Sequence, residues 1–303
     1  MRGPRTWPFL DWIVAIYSVW IALLILVRWA HFATPATLLA AHMGIVALLW
    51  VLPARGAAWE FRSPGESPAW TATRFLLRFL RHCYPLLFAL FFFEEAQQTV
   101  RAVWVEDPFW FERYLFAADR WVFGESPALL VWPAADELMH FFYFTYYLIV
   151  VGGVVFAFFG PKLKPLPAPG FERVITAVMT SYLLAYLWYP WLPARGPWEH
   201  PDVVGGLRPF EGGFFVWAIG RIIEEGSVSG ACYPSGHAAG TWGAVFGLAG
   251  RYPRGAVVLS VVALGMSVAC VYTRYHHVAD VVAGFLMAVV GSAIAWRVTA
   301  KQA

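Results

Sequence analysis

Charged residues are scarce in this chain. Only 14% of its 303 residues are Asp, Glu, Lys or Arg, against roughly 25% in an average soluble domain. This scarcity, together with 60% hydrophobic residues, excludes an ordinary soluble globular protein. An aromatic content of 18% excludes a disordered chain, because so much apolar surface would collapse out of water. The composition therefore indicates a protein embedded in a lipid bilayer.

Cysteine and an excess of one charge sign are also lacking. The three cysteines, Cys83, Cys232 and Cys270, form no CxxC pair and are too few for a disulfide framework. The 22 Lys and Arg residues nearly balance the 19 Asp and Glu residues, so no nucleic-acid partner is expected. Neither an internal repeat nor a soluble domain stands out.

Long apolar stretches dominate what is present. Counting stretches of the length that crosses a bilayer predicts an all-α, polytopic transmembrane bundle of eight helices. The predicted spans are 9–30, 36–53, 83–100, 138–159, 172–191, 237–250, 254–273 and 277–297. The sixth is rich in Gly and Ala, which favours close helix packing.

The distribution of the cations predicts the orientation of the bundle. With these spans, 14 of the 22 Lys and Arg residues fall on the side of the N terminus. Because cytoplasmic segments carry the excess of Lys and Arg, both termini are expected in the cytoplasm. We expect a multi-pass protein of the cell (inner) membrane, with its other face towards the periplasm or cell exterior.

Three polar clusters in the C-terminal half fall on that non-cytoplasmic face. They are LPARGPW around Arg195, CYPSGH at 232–237 and YTRYHHVAD at 272–280. Ionisable residues at membrane depth are costly, so we interpret their convergence as an active site. The segment 191–232, which joins the first two clusters, is expected to be a loop over that site.

The third cluster contains a histidine and a carboxylate at helical spacing. His276 and Asp280 are four residues apart, so on a helix the carboxylate can hydrogen-bond one ring nitrogen. That bond fixes the tautomer and leaves the other nitrogen as a base or nucleophile. His277 is a rival partner for Asp280. The guanidinium of nearby Arg274 can bind a phosphate through two hydrogen bonds.

The second cluster lies at the predicted start of an apolar helix. Ser235 and Gly236 directly precede that helix, so their backbone N–H groups form a natural anion site. His237 follows one residue inside and is available as an acid. Together with the third cluster, these residues predict phosphoryl transfer without a metal or other cofactor.

These motifs resemble the type 2 phosphatidic-acid phosphatase (PAP2) superfamily, whose Pro-Ser-Gly-His motif stands at 234–237 and whose His-x-x-x-Asp motif stands at 276–280. The resemblance implies a six-helix core and a phosphohistidine formed on His276. It further implies that Asp280 orients this nucleophile and that His237 protonates the leaving group. Phosphate binding is implied for Arg274, Ser235 and Gly236.

The extent of the resemblance suggests two domains. It covers about residues 83–297, so the expected division is an N-terminal transmembrane hairpin with an amphipathic connector, 1–82, and a catalytic core, 83–303.

Two features look like the branch of the superfamily that contains inositol phosphorylceramide synthase. The compact pattern Thr-Arg-x-His-x-x-x-Asp is matched at 273–280, and the segment DRWVFGESP at 119–127 is similar to a stretch of that branch. The superfamily's first motif, Lys-x6-Arg-Pro, is not intact, since Trp188 stands where the lysine is expected. On this resemblance Arg195 is a further candidate phosphate-binding residue.

The predicted function is that of a membrane lipid-phosphate phosphohydrolase or phosphotransferase, with a phospholipid or lipid phosphate as substrate. A transferase would move phosphoinositol or another headgroup to a lipid alcohol such as ceramide or diacylglycerol. Three further classes stay open. They are a zinc hydrolase with ligands among His237, His276, His277 and Asp280, a serine hydrolase using Ser235, and a transporter or receptor.

Overall fold

A computed structural model describes residues 8–52, 68–129, 132–161, 167–200, 202 and 207–300. Within these ranges the regular structure is helical. No strand occurs there, and β pairing is limited to one isolated bridge between Ala194 and Ala231. The all-α prediction is therefore confirmed.

Twelve α-helices make up the described chain. They are α1 (Phe9–Val27), α2 (Pro35–Val51), α3 (Pro68–Glu94), α4 (Ala96–Val103), α5 (Glu112–Phe123), α6 (Asp136–Tyr147), α7 (Gly153–Phe159), α8 (Phe171–Tyr186), α9 (Phe214–Gly226), α10 (Gly236–Ala249), α11 (Pro253–Tyr272) and α12 (Val278–Thr299). A π-helical segment, Leu148–Gly152, joins α6 to α7.

Five helical stretches of the described chain are long and apolar enough to cross a bilayer. They are Phe9–Val27, Trp70–Val103, Pro133–Phe159, Pro253–Tyr272 and Val278–Thr299. The remaining predicted spans coincide with α2, α8 and α10, which have 17, 16 and 14 residues. Helices of this composition make the protein membrane-embedded, while the count of eight spans stays a prediction.

The chain packs into two compact units, Met1–Phe91 and Phe92–Ala303. In the first unit, the carboxylate of Asp11 on α1 accepts hydrogen bonds from the Arg81 guanidinium and, at 2.8 Å, from the Tyr84 hydroxyl. Both members of the ion pair are buried. Such a pair is tolerated only when its polar atoms are well bonded, and Tyr84 supplies part of that bonding.

The domain division at residue 82 stays a prediction. Part of the first predicted domain, residues 1–7 and 53–67, lies outside the described residues.

Helices α8, α10 and α12 form the centre of the second unit and approach each other through small residues. A Cβ added to Gly291 of α12 would lie 2.7 Å from the backbone nitrogen of Ser181 on α8. One added to Gly247 of α10 would lie 2.8 Å from the Cα of Val174. The close packing expected for the predicted span 237–250 is thus what α10 shows.

The segment 191–232, expected to be a loop, contains the helix α9. Its amino end is capped by the distant side chain of Glu137, which accepts hydrogen bonds from three backbone N–H groups. The donors are Gly213, Phe215 and Val216, at 2.8, 2.9 and 3.2 Å. The expectation of a loop was therefore wrong over α9, and the cap, which comes from 76 residues away, leaves no local signal in the sequence.

Candidate active site

The amino end of α10 and the first turn of α12 meet directly. The backbone nitrogen of Ser235 donates a hydrogen bond to the carbonyl oxygen of Asp280 at 2.9 Å. A Cβ on Gly284 would lie only 2.3 Å from the carbonyl oxygen of Ser235, so glycine is required where the two helices meet. This contact brings the second and third polar clusters of the sequence together.

His276 lies at the centre of the cluster, just before α12 rather than on it. Its Nε2 is 3.2 Å from the Ser235 hydroxyl and 3.2 Å from Nδ1 of His237. On the other side of the ring, Nδ1 is 3.4 Å from a carboxylate oxygen of the fully buried Asp280. That distance is long for a hydrogen bond, as is common for catalytic pairs before substrate binds.

Cys232 also contacts the histidine and the carboxylate. Its Sγ lies 2.7 Å from Oδ2 of Asp280 and 3.3 Å from Nδ1 of His276. Burial, and then the nearby carboxylate, raise the pKa of the Cys232 thiol well above its ordinary value. The side chain is therefore a neutral thiol that donates to Asp280 and shares that oxygen with His276.

The neighbouring histidine has a different carboxylate partner. Nδ1 of His277 is 2.9 Å from Oδ2 of Asp119 on α5. Burial alone would lower the pKa of His277, but the hydrogen bond to Asp119 outweighs it and the pKa is raised. Asp280 and His277 form a capping box, in which the Asp280 carboxylate accepts the His277 backbone N–H at 2.8 Å and the Asp280 backbone N–H donates to the His277 side chain. The two histidines are thus assigned to separate carboxylates.

The helix start at Ser235 has the geometry of an anion site. Ser235 is the N-cap of α10, and its hydroxyl accepts a hydrogen bond from the nitrogen of Ala238 at 3.3 Å. A Cβ on Gly236 would lie 3.0 Å from the Tyr189 hydroxyl, so a larger residue would crowd this turn. Backbone N–H groups at such a helix start attract phosphate.

Arg274 turns the chain from α11 towards His276. Its backbone is left-handed, with a φ of 70°, which is uncommon for a residue other than glycine. The guanidinium lies 4.3 Å from the centre of the Phe210 ring, and Nη2 is 3.5 Å from the carbonyl oxygen of Arg208. Burial, and then the charge of Arg208, lower the pKa of Arg274.

Arg195 is held by a carboxylate beside the same turn. Its Nη2 and Nε bond to Glu112 at 2.6 and 3.1 Å. The preceding residue, Ala194, accepts a hydrogen bond from the nitrogen of Cys232 at 3.1 Å, and a Cβ on the following Gly196 would strike the Tyr275 carbonyl. The arginine therefore lies next to both polar clusters.

Seven candidate residues were predicted from the sequence. Ser235, Gly236, His237, His276 and Asp280 lie together in one contact network. The two arginines flank it, with guanidinium contacts to Glu112 for Arg195 and to the segment 208–210 for Arg274.

The Glu112 ion pair predicts a pH-dependent stability. Burial would raise the pKa of Glu112, but the His200 ring, 3.4 Å away, and the hydrogen bonds from Arg195 outweigh it and lower the pKa to about 2. A pKa below its unfolded value means that the pair stabilises the fold above about pH 4.5 and loses this effect as the pH falls towards 2. Glu112→Gln is expected to cost about 1–3 kcal/mol at neutral pH.

The measurement is the melting temperature of the purified protein from pH 7 to pH 2.5. The difference between Glu112→Gln and the unsubstituted protein should shrink below pH 4.5. Glu224→Gln is the control, since Glu224 pairs with Arg221 on an exposed surface and is expected to change little at any pH. If the melting temperatures of Glu112→Gln and the unsubstituted protein differed by the same amount at every pH, the lowered pKa of Glu112 would be contradicted.

Three ligand atoms in the network are close enough to share a metal ion. Atoms of Cys232, His276 and Asp280 lie within 4.8 Å of one another. This set shares His276 and Asp280 with the zinc ligands predicted from the sequence and adds Cys232. His237 and His277 are left out, because His237 faces His276 Nε2 and His277 faces Asp119. A zinc ion held by this set on Nδ1 of His276 would take the place of the Nδ1 proton that otherwise faces Asp280.

Three further residues belong to the site, and the sequence analysis did not identify them as members of it. They are Asp119, Cys232 and Tyr143, whose hydroxyl lies 2.9 Å from Nε2 of His237. Tyr143 lies in an aromatic run, FFYFTYY, which carries no signal for a polar role. For Cys232 the only signal in the sequence is its position two residues before Pro-Ser-Gly-His. Asp119 starts the segment 119–127, whose family resemblance was the one available signal.

The apolar helices and the buried, anion-binding site together define a class, namely membrane-embedded proteins with a centre suited to phosphate chemistry. Comparison with known proteins narrows the class. A family model described as the PAP2 superfamily matches residues 113–294, more than half of the chain. The chain therefore belongs to the PAP2 superfamily, whose members are phosphatases or phosphotransferases. No curated protein and no solved structure matches it.

Proposed function

We propose that the protein is an integral-membrane lipid-phosphate phosphohydrolase or phosphotransferase that works through a phosphohistidine on His276. The observation that carries the proposal is the chain of contacts from Asp280 through His276 to His237, at 3.4 and 3.2 Å. A nucleophile oriented by a carboxylate, with a second titratable group on its reacting nitrogen, is the arrangement that covalent catalysis requires. Ser235 adds the helix start as a phosphate site.

The first step is attack on phosphorus. The lone pair on Nε2 of His276 forms the P–N bond while the bond from phosphorus to the leaving alcohol oxygen breaks. His237 enters this step as the imidazolium, gives its Nδ1 proton to that oxygen and keeps the proton on Nε2, so the alcohol leaves neutral. Asp280 stabilises the positive charge that develops on the His276 ring through its Nδ1–H.

The second step regenerates the enzyme. Water or a lipid hydroxyl attacks the phosphohistidine, and His237, which has lost its Nδ1 proton, takes the proton of the attacking group. The P–N bond breaks and its electron pair returns to Nε2 of His276. Arg195 and Arg274 are proposed to bind the phosphate oxygens in both steps, where positioning and neutralisation of charge supply most of the rate enhancement.

The site is proposed to face the non-cytoplasmic side of the cell membrane. The charge distribution along the sequence supports this orientation. The starts of α10 and α12 and the end of α11 then open to the outer leaflet, where a lipid headgroup is accessible without crossing the bilayer.

The acceptor divides this proposal into two. Hydrolysis uses water, whereas a headgroup transferase uses a lipid alcohol such as ceramide or diacylglycerol. The compact Thr-Arg-x-His-x-x-x-Asp spacing at 273–280 favours the branch of the superfamily that resembles inositol phosphorylceramide synthase, and thus transfer of phosphoinositol or a similar headgroup.

Purified protein assayed with lipid donors tests the proposal. Phosphatidic acid and an inositol phospholipid are offered with and without ceramide or diacylglycerol, and both inorganic phosphate and lipid products are measured. Activity should survive EDTA and give an acid-labile, base-stable phosphoenzyme. Inorganic phosphate as the sole product would reject the transferase. Loss of activity in EDTA, restored by Zn²⁺, would support the zinc hydrolase instead.

A serine hydrolase and a transporter or receptor predict different results in the same assay. The serine hydrolase is favoured by one contact, the 3.2 Å between the Ser235 hydroxyl and Nε2 of His276, and would give an acid-stable label on serine. The transporter or receptor would bind a lipid phosphate without releasing any product.

A further inference from the structure

Tyr143 makes a hydrogen bond that neither step of the proposed reaction uses. Its hydroxyl lies 2.9 Å from Nε2 of His237, on the side of the imidazole that faces away from His276. Tyr143 belongs to α6 and is fully buried, in a cluster with Ile219, Met266 and Cys270. A hydrogen bond from a fully buried hydroxyl to a ring nitrogen restricts the orientation of the imidazole ring.

The contacts determine where the hydrogens lie along the chain. His276 can attack through Nε2 only if that atom carries a lone pair, so its proton is on Nδ1, facing Asp280. The hydrogen in the 3.2 Å contact between the rings then belongs to Nδ1 of His237. In a neutral His237 this leaves Nε2 as an acceptor, and the Tyr143 hydroxyl donates to it.

The hydroxyl can serve both protonation states of His237. A phenol is a donor and an acceptor. It accepts from Nε2–H both in the cationic ring that acts as the acid and in the neutral ring left after Nδ1 gives up its proton, and it donates to Nε2 when a neutral ring carries its proton on Nδ1. In the described part of the chain, no second hydrogen bond to this Nε2 occurs. Without the hydroxyl, the buried nitrogen would lose its partner in either state, and the ring would be free to turn.

We propose that Tyr143 is a positioning residue for the general acid: it fixes the direction of the His237 ring so that Nδ1 faces the leaving oxygen. This inference rests on the proposed function, because it assigns to His237 the proton transfer to the leaving group. It adds a residue from α6 to the contacts that the start of α10, the segment before α12 and the first turn of α12 make with His276.

The same helix offers a matched control. Tyr146 also packs its ring against His237, with the ring centres 4.4 Å apart. Its hydroxyl, however, bonds to the Tyr182 hydroxyl at 2.7 Å and not to the imidazole. Tyr143→Phe and Tyr146→Phe therefore each remove one buried hydroxyl beside His237, and only the first removes a hydrogen bond to it.

The test compares two leaving groups on each variant. An alkyl phosphate needs protonation of its leaving oxygen, whereas p-nitrophenyl phosphate has a stable leaving anion and does not. Tyr143→Phe is expected to lower kcat about 10- to 100-fold on the alkyl substrate, within the range of general acid catalysis, and less than about threefold on the aryl substrate. For Tyr146→Phe any loss should be equal on the two. The ratio of the alkyl rate to the aryl rate, measured on one preparation, does not depend on the amount of folded protein.

A double-mutant cycle with His237→Ala gives the second measurement. If Tyr143 acts through His237, Tyr143→Phe should have no further effect once the imidazole is gone. Equal losses on both substrates, no loss, or additive effects in the cycle would overturn the inference. Absence of any phosphoenzyme or product in the unsubstituted protein would instead remove the proposed function, so the two failures are distinguishable.

Discussion

His276→Ala is expected to lower kcat on a lipid phosphate by at least about 10⁴-fold, the order of loss seen when a covalent nucleophile is removed. The side chain is the proposed nucleophile, which takes the phosphoryl group from the donor. Its Nε2 is the atom that both Ser235 and His237 contact. The variant should also show no radiolabelled enzyme after incubation with a labelled donor. Kinetics and acid-labile labelling measure the two effects.

Ser235→Ala is the matched comparison. It removes a hydroxyl that contacts the same nitrogen and caps α10, but no bond-forming atom. A loss of about 10- to 100-fold is expected, since one phosphate-binding donor and one helix cap are lost. Equal abolition by both substitutions, with label retained in His276→Ala, would identify Ser235 as the nucleophile.

Asp280→Asn is expected to lower kcat by about 10²- to 10⁴-fold with a smaller change in KM. The amide keeps the shape of the side chain and an oxygen for the N–H of His277. It removes the negative charge that orients the Nδ1–H of His276 and stabilises the cationic ring. Loss of the corresponding carboxylate in Ser-His-Asp enzymes costs about 10⁴ through the wrong tautomer.

Asp119→Asn distinguishes the role of His277 from that of His276. It changes the carboxylate of the other pair, at 2.9 Å from His277, and leaves the Asp280 contacts in place. The expected result is a lower melting temperature with kcat within about tenfold of the unsubstituted protein. If Asp119→Asn instead lost activity as fully as Asp280→Asn should, His277 would be the nucleophile.

The membrane helices were predictable because hydropathy is a local property. Each predicted span falls on helical structure, although 83–100 covers parts of α3 and α4 and 138–159 covers part of α6 and all of α7. The small residues of the Gly-rich stretch 237–250 fit the close packing of α10. The contacts within the site were predictable to the extent that they are short-range in sequence. The spacing from His276 to Asp280 is an example, although His276 turned out to precede the helix.

The remaining site contacts join distant parts of the chain. Tyr143 reaches His237 across 94 residues, Asp119 reaches His277 across 158, and Cys232 reaches Asp280 across 48. No periodicity or motif records a contact between two helices, so these partners emerge only when the bundle is assembled. The cap of α9 by Glu137 was missed for the same reason.

Two helices begin within one hydrogen bond of each other, at the contact between the Ser235 nitrogen and the Asp280 carbonyl. The aligned peptide dipoles of each helix give its amino end the equivalent of about half a positive charge. That field belongs to the main chain, and no side-chain substitution removes it. Replacing Arg195 and Arg274 by glutamine, singly and then together, would therefore weaken inhibition by vanadate in steps. Even the double variant should still be inhibited, because the helix ends remain.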